Sequence, residues 1–104
     1  MMRREKAERK LGLVKEIVEA AGMGISYAYE DLVFLDHNAL LLQFTEESEQ
    51  VLVRINREAD RRIVAETVSL LKLEAQEKAM AFIDSGEYAL SQGEGENITI
   101  EFIP

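Results

Sequence analysis

One stretch of this sequence, Glu58 to Ile83, constrains the fold more than any other. It contains no Gly or Pro and is rich in Ala, Leu, Glu, Lys and Arg, which favour helices. Its apolar residues recur at spacings of three and four, so they share one helix face. Burying each large side chain stabilises a fold by roughly 1.5 to 3 kcal/mol, so neighbouring segments must cover this face. The apolar stripe is Val64, Val68, Leu71, Ala75, Ala79 and Phe82.

A first helix is predicted from Arg3 to Ala21, because its apolar residues also fall on one face and charged residues fill the other. Gly22 and Gly24 follow and can adopt the left-handed conformation that ends a helix. Gly12 lies inside the segment and weakens the helix by about 1 kcal/mol relative to Ala. The apolar residues are Ala7, Leu11, Val14, Ile17, Val18 and Ala21.

The remaining segments alternate with a period of two and are predicted to be strands. Three precede the central helix and two follow it. Asp36-His37-Asn38 has the composition of a turn, and Asp84-Ser85-Gly86 has that of a break. The predicted strands are 25–35, Ala39–Thr45, Gln50–Asn56, Glu87–Gln92 and Ile98–Pro104.

These elements predict an α+β fold in the order α-β-β-β-α-β-β, forming a single domain over residues 1–104. The predicted sheet has five strands, is mainly antiparallel, and carries both helices on one face. The outer face then shows Val33, Leu35, Leu41 and Leu52. The helix-covered face is predicted to contain Leu40, Leu42, Phe44, Val51, Val53, Ile55, Ile98, Ile100 and Phe102.

Composition narrows the classes of function. Apolar residues make up 47% of the chain and charged residues 31%, which is typical of a globular protein. The net charge of −8 disfavours nucleic acid as a partner. No segment is apolar enough to span a membrane or to act as a signal peptide, and there is no Cys. We therefore expect a cytoplasmic protein with neither a membrane nor a nucleic-acid partner.

No motif in the sequence indicates catalysis, so we expect no enzyme, no cofactor and no metal site. His37 is the only imidazole and lies in a turn composition, which excludes a histidine pair within one chain. The acidic runs at 46–49 and 94–96 lack the ligand spacing of a cation loop. Gly22-Met23-Gly24 ends a helix instead of opening one, unlike a phosphate-binding loop.

Leftover apolar surface is the stronger signal. Leu70, Leu73 and Met80 lie on the central helix away from the buried stripe, and Leu41 and Leu52 lie on the uncovered face of the sheet. Apolar patches rimmed by charge mark interfaces. The sequence thus predicts a homodimer, with a further polypeptide as a second kind of partner, through one or both of these surfaces.

The element order, small size and acidic pI resemble the architecture of bacterial secretion chaperones, although the usual closing helix is missing. That resemblance implies a dimer that holds an unfolded segment of an exported protein. The first hypothesis is therefore a small, acidic, dimeric, non-catalytic binding protein. The alternative is a small-ligand sensor or enzyme accessory domain, with a pocket between helix and sheet lined by Tyr27, Tyr29 and Tyr88.

Overall fold

The computed structural model describes residues 2–36, 39–92, 95 and 98–104, with side chains described from residue 11 onward. His37, whose turn the sequence predicts, lies outside the described residues, as do Glu94 and Glu96. Within the described ranges the order of elements is α-β-β-β-β-α-β-β. The helices are α1 (Met2–Ala20) and α2 (Arg61–Glu77). The strands are β1 (Ile25–Tyr29), β2 (Leu32–Leu35), β3 (Leu40–Phe44), β4 (Gln50–Asn56), β5 (Ala81–Gln92) and β6 (Ile98–Ile103).

The six strands form one curled sheet in chain order, β1-β2-β3-β4-β5-β6. Neighbouring strands are antiparallel except β4 and β5, which run parallel because α2 provides the crossover between them. The predicted α+β class is confirmed. The predicted number of strands and the predicted order of elements are wrong.

The additional strand comes from the segment 25–35, which the alternating pattern predicts as one strand. A two-residue turn at Glu30 and Asp31 divides it, and Tyr29 pairs with Leu32 across that turn. Glu30 has a φ of 53°, a left-handed conformation that Gly and Asn adopt more readily. Because the turn contains neither of those residues, the sequence lacks the usual hairpin signal here.

Helix α2 begins at Arg61, three residues after the start of the predicted segment at Glu58. The carboxylate of Asp60 caps the helix by accepting hydrogen bonds from the backbone N–H groups of Arg62 at 2.9 Å and Ile63 at 3.4 Å. The first four residues of the predicted stripe are buried, which confirms the assignment of the helix face. These residues are Val64, Val68, Leu71 and Ala75.

The end of α2 lies earlier than predicted. Ala79 adopts a left-handed φ of 59°, and the N–H of Met80 donates to the carbonyl of Ala75 at 2.9 Å. This is the same type of helix ending that Gly22 gives α1, where φ is 87°. Phe82 therefore lies in β5. The sequence does not indicate this helix end, because Ala rarely adopts the left-handed conformation that Gly adopts freely.

The core lies between the helices and one face of the sheet. Residues of both helices and of the strands from β2 to β5 form one buried cluster. The predicted positions Leu40, Leu42, Phe44, Val51 and Val53 are confirmed as members. The other members are Val14, Ile17, Val18, Val33, Leu35, Val64, Val68, Leu71, Ala75, Met80 and Phe82.

Several strand residues occupy the face opposite to the predicted one. Val33 pairs with Leu42 and belongs to the core, and so does Leu35, because the turn at residues 30–31 resets the alternation. Conversely, Ile98 is 67% exposed and Phe102 43% exposed. Both lie on β6, which pairs only with Glu87–Gln92, the half of β5 that follows a register shift. This part of the sheet extends beyond the core.

The register shift occupies the segment that the sequence predicts as a break. β5 continues through it, with Gly86 at a φ of 98°. A Cβ atom at this position would lie 2.5 Å from the carbonyl oxygen of Ile103, so a larger residue would push β6 away. Glycine thus allows β5 to change register on β4 while it keeps its pairing with β6.

Candidate binding surface

The sheet has a second face, which lies opposite the helices. Side chains directly across from each other in neighbouring strands share a face. Leu41 pairs with Phe34 and with Arg54, and the Arg54 guanidinium carbon lies 4.3 Å from the centre of the Phe102 ring. We call this surface, which continues from β1 to β6, the outer face. Its members are Tyr27, Tyr29, Leu32, Phe34, Leu41, Gln43, Gln50, Leu52, Arg54, Asn56, Ala81, Ile83, Tyr88, Leu90, Gln92, Ile98, Ile100 and Phe102.

Large apolar side chains on the outer face remain in contact with solvent. Tyr27 is 59% exposed, Tyr29 56%, and Ile83 39%. The rings of Tyr27 and Tyr29 stack with their centres 6.5 Å apart, and Tyr27 also contacts Phe34 at 6.2 Å. Aromatic rings in such an arrangement form a semi-rigid surface that can bury large area at low entropic cost.

Arg54 is the only formally charged member of the outer face. Its Nη1 atom donates to the carbonyl of Ser85 at 3.0 Å, and its Nε donates to Oε1 of Gln43 at 3.3 Å. Together with the ring of Phe102, these groups fix the guanidinium over the sheet. No carboxylate among the described residues forms a salt bridge with Arg54.

The acidic residues of β5 lie on the helix side of the sheet. Asp84 accepts a hydrogen bond from Nζ of Lys72 in α2 at 2.8 Å, and Glu87 forms an ion pair with Arg61 at the start of α2. The chain carries a net charge of −8, yet the strand residues of its outer face include one positive group and no carboxylate. The carboxylate of Asp31, in the turn between β1 and β2, lies at the edge of this face and accepts a hydrogen bond from Nε2 of Gln43 at 3.5 Å. Charge is thus segregated between the two faces.

Two members of the outer face are fully buried. Leu41 and Tyr88 each have 0% exposure. Leu41 lies between Phe34 and Arg54 in the sheet, and Tyr88 lies beside Phe102. The Tyr88 hydroxyl forms a hydrogen bond with the side chain of Asn56. Burial raises the pKa of Tyr88 above its ordinary value, and the bond with Asn56 offsets part of that rise.

The five residues predicted for two interaction surfaces, one on the central helix and one on the sheet, are not all exposed. Leu41 and Met80 are buried, so the expectation that a monomer exposes them is wrong. Met80 follows the end of α2 and joins the core, because Ala79 turns the chain inward. Leu52 is half-buried on the outer face. Leu70 and Leu73 are exposed on α2, at 48% and 60%.

Sequence reasoning missed other exposed apolar side chains. Ile63 is 65% exposed on α2, and Ile83 and Phe102 are exposed on the outer face. The spacing of Ile63 to Leu70, two helical turns, is a signal that could have found the first of these. The exposure of Phe102 follows from the register shift in β5, for which the sequence offers only Gly86 as a sign.

The predicted pocket lined by three tyrosines is not present between helix and sheet. Tyr27 and Tyr29 lie on the outer face, and Tyr88 is buried there. Instead, the described residues enclose a half-open cavity of about 420 Å³ at the start of α2, next to the end of β2. It is lined by Met23, Asp36, Ala39, Leu40, Ala59, Asp60, Ile63, Val64 and Thr67.

The described residues contain no group of three or more His, Cys, Asp or Glu side chains arranged to hold a metal ion. Neither of the two described helices has the length and apolar character needed to cross a membrane. Comparisons of this chain with protein-family models, with curated proteins and with solved structures found no match.

Proposed function

We propose that this chain is a non-catalytic protein-binding module whose outer face binds an apolar surface of another polypeptide, with a second copy of the chain as its first partner. The observation that carries this proposal is the composition of the outer face. Thirteen of its eighteen members are apolar or aromatic, and one is charged, in a chain whose charged fraction is 31%. A contiguous apolar surface rimmed by charge is typical of an interface.

The size of the outer face predicts a dimer of moderate affinity. Six strands spaced about 4.8 Å apart, each paired over about five residues, cover roughly 400 Å² of sheet plane. A standard interface buries about 800 Å² on each partner. We therefore expect self-association at micromolar concentration, which leaves the outer face available to other apolar polypeptides.

Arg54 gives the outer face a specificity element. A guanidinium that already stacks on Phe102 and bonds to Ser85 and Gln43 is pre-organised, so little side-chain entropy is lost on binding. A partner that presents a carboxylate or carbonyl oxygen among apolar side chains complements it. The outer face of a second copy supplies no such carboxylate and carries its own Arg54, so this residue favours a different polypeptide as the second kind of partner and does not strengthen self-association.

The biological setting is part of the proposal. The resemblance to secretion chaperones in size, acidity and order of elements supports a holding role in the cytoplasm, although the observed order contains one strand more than the predicted one. A chaperone-like protein needs an apolar surface that tolerates different segments, and a broad sheet face offers one.

Sedimentation equilibrium on the wild type and two charge variants tests the proposal. Ile83→Glu places a carboxylate on the outer face, and Leu73→Glu places one on the exposed side of α2; both positions are partly exposed, so both variants should fold. We expect a wild-type dimer at micromolar concentration, a monomer for Ile83→Glu, and a dimer for Leu73→Glu. Circular dichroism checks that each variant is folded.

Two results would contradict the proposal. A wild type that remains monomeric up to about millimolar concentration excludes a dimeric module. A dimer that only Leu73→Glu breaks assigns the interface to α2 instead. Added salt provides a control, because it screens repulsion between chains of charge −8 and should tighten the dimer.

A further inference from the structure

We propose that the cavity at the start of α2 binds a small organic cation with an apolar body, of the primary alkylamine class. This site is independent of the proposed function, because it lies on the helix side of the sheet and shares no residue with the outer face. Its volume of about 420 Å³ lies within the range of roughly 300 to 1,000 Å³ that is usual for small-ligand sites.

Most of the cavity wall is apolar, and its deepest part is formed by residues of the hydrophobic core. Leu40 is 0% and Val64 3% exposed, while Ile63 stands at the rim, 65% exposed. An alkyl chain that enters this space leaves water, and each buried methylene tightens binding by up to about fourfold. The wall therefore selects a ligand with an apolar body.

The charges of the lining select the sign of the ligand. Among the described residues that line the cavity, two are acidic and none is basic. Oδ1 of Asp60 is already occupied, because it accepts hydrogen bonds from the backbone N–H groups of Arg62 and Ile63 and so caps α2. The Asp36 carboxylate has no hydrogen-bond or ion-pair partner among the described residues, although the residue is half-buried. Within the described part of the chain, both oxygens of Asp36 are therefore open to a cation, whereas Oδ1 of Asp60 is taken by the helix cap.

The backbone holds Asp36 in place at the cavity. Its N–H donates to the carbonyl of Gly24 at 2.9 Å. A Cβ atom on Gly24 would lie 2.6 Å from the Asp36 carboxylate oxygen, so glycine leaves the space that this carboxylate occupies. An ammonium group that binds Asp36 gains a charge-assisted hydrogen bond, and the net charge of −8 adds attraction.

Titration of the full chain with hexylammonium, 1-hexanol and hexanoate, followed by amide chemical shifts in NMR spectra, tests the site. The three probes share one apolar body and differ in charge. We expect shifts at Met23, Ala39 and Thr67, with hexylammonium binding about tenfold more tightly than hexanol and hexanoate more weakly than both. Butylammonium should bind less tightly than hexylammonium, by up to about fifteenfold for two methylenes.

Variants separate charge recognition from apolar binding. Asp36→Asn should make hexylammonium and hexanol bind about equally, while Glu77→Gln, which removes one charge from an exposed position at the far end of α2, should keep the tenfold difference. Thr67→Leu should weaken both probes by filling the cavity. Equal binding of hexylammonium and hexanol to the wild type would overturn the proposal. So would shifts outside the cavity only, or an unchanged preference in a folded Asp36→Asn variant.

Discussion

The two faces of the sheet differ in how they bury apolar side chains. On the helix side, α1 and α2 cover the strands, and sixteen buried residues form one continuous cluster. On the outer face, Leu41 and Tyr88 are buried beside Tyr27, Tyr29, Ile83 and Phe102, which remain partly in water. The helix side is complete within one chain, whereas the outer face is only partly covered. The same sheet therefore serves stability on one side and, in our proposal, binding on the other.

Charged residues follow the same division. Asp84 and Glu87 lie on the helix side and pair with Lys72 and Arg61 of α2. These pairs are partly exposed, and such pairs contribute about 0 to 1 kcal/mol each to stability. Their main consequence is that both carboxylates lie away from the outer face. Placing carboxylates on the helix side leaves the strand residues of the outer face free of them, which favours association of an acidic chain through that face.

The largest expected effect lies on the helix side. Leu71 is 0% exposed at the centre of the α2 stripe, so Leu71→Ala should lower the free energy of unfolding by about 2 to 5 kcal/mol through lost burial and a residual cavity. Leu73→Ala makes the same chemical change at a position that is 60% exposed, and it should cost less than about 1 kcal/mol. Equal losses in urea denaturation would contradict the assignment of the helix face.

The second largest expected effect is at Leu41, and it shows how much the packing of the outer face contributes to stability. Leu41 has 0% exposure between Phe34 and Arg54, so Leu41→Ala should cost about 2 to 4 kcal/mol. Leu52→Ala, at a half-buried position of the same face, should cost about half as much. A loss in the free energy of unfolding below about 1 kcal/mol for Leu41→Ala would show that neighbouring side chains exclude water from Leu41 without packing closely against it. The outer face would then contribute much less to stability than the helix side does.

A smaller effect concerns the buried hydroxyl of Tyr88. Tyr88→Phe removes its hydrogen bond with Asn56 and should cost about 1 kcal/mol near neutral pH. Tyr27→Phe, at an exposed position of the same face, should have no measurable effect on stability.

The contribution of Tyr88 to the free energy of unfolding should also depend on pH, and it should decrease in alkaline solution. Because burial raises its pKa above 10.0, the unfolded chain releases this proton before the folded one does. The contribution is constant below about pH 10 and is lost as the pH rises from there through the folded pKa. In this pH range, the free energy of unfolding measured by urea denaturation should decrease more steeply with pH for the wild type than for Tyr88→Phe. Parallel declines would show that the phenol is not buried.

The sequence predicts the helix side well, because long-period patterns fix it. The stripe from Val64 to Ala75 and the strand residues Leu42 and Val53 all reach the core as expected. The face on which these residues lie is set by a spacing that several apolar residues share, so one unusual backbone conformation does not change it. The class of fold follows from the same patterns.

The outer face was predicted less well because its residues depend on single backbone conformations. Glu30 and Ala79 adopt left-handed conformations without being Gly or Asn, and each reverses the side on which later residues lie. The turn at Glu30 moved Val33 inward, and the turn at Ala79 moved Met80 inward. The alternation places Leu41 on the correct face, but its burial between Phe34 and Arg54 depends on tertiary packing that no local pattern encodes.

The most direct test of the outer face as a docking surface uses a tryptophan reporter, because the chain contains no Trp of its own. Ile83→Trp places the indole on the outer face, and Leu73→Trp places it on the exposed side of α2. Fluorescence emission is recorded from about 0.1 to 500 µM protein, a range that brackets the micromolar association expected from the interface size. We predict that emission of the Ile83→Trp variant shifts to shorter wavelength as concentration rises, while that of Leu73→Trp stays constant. A shift confined to Leu73→Trp, or no shift in either variant, would contradict the assignment of the outer face as the binding surface.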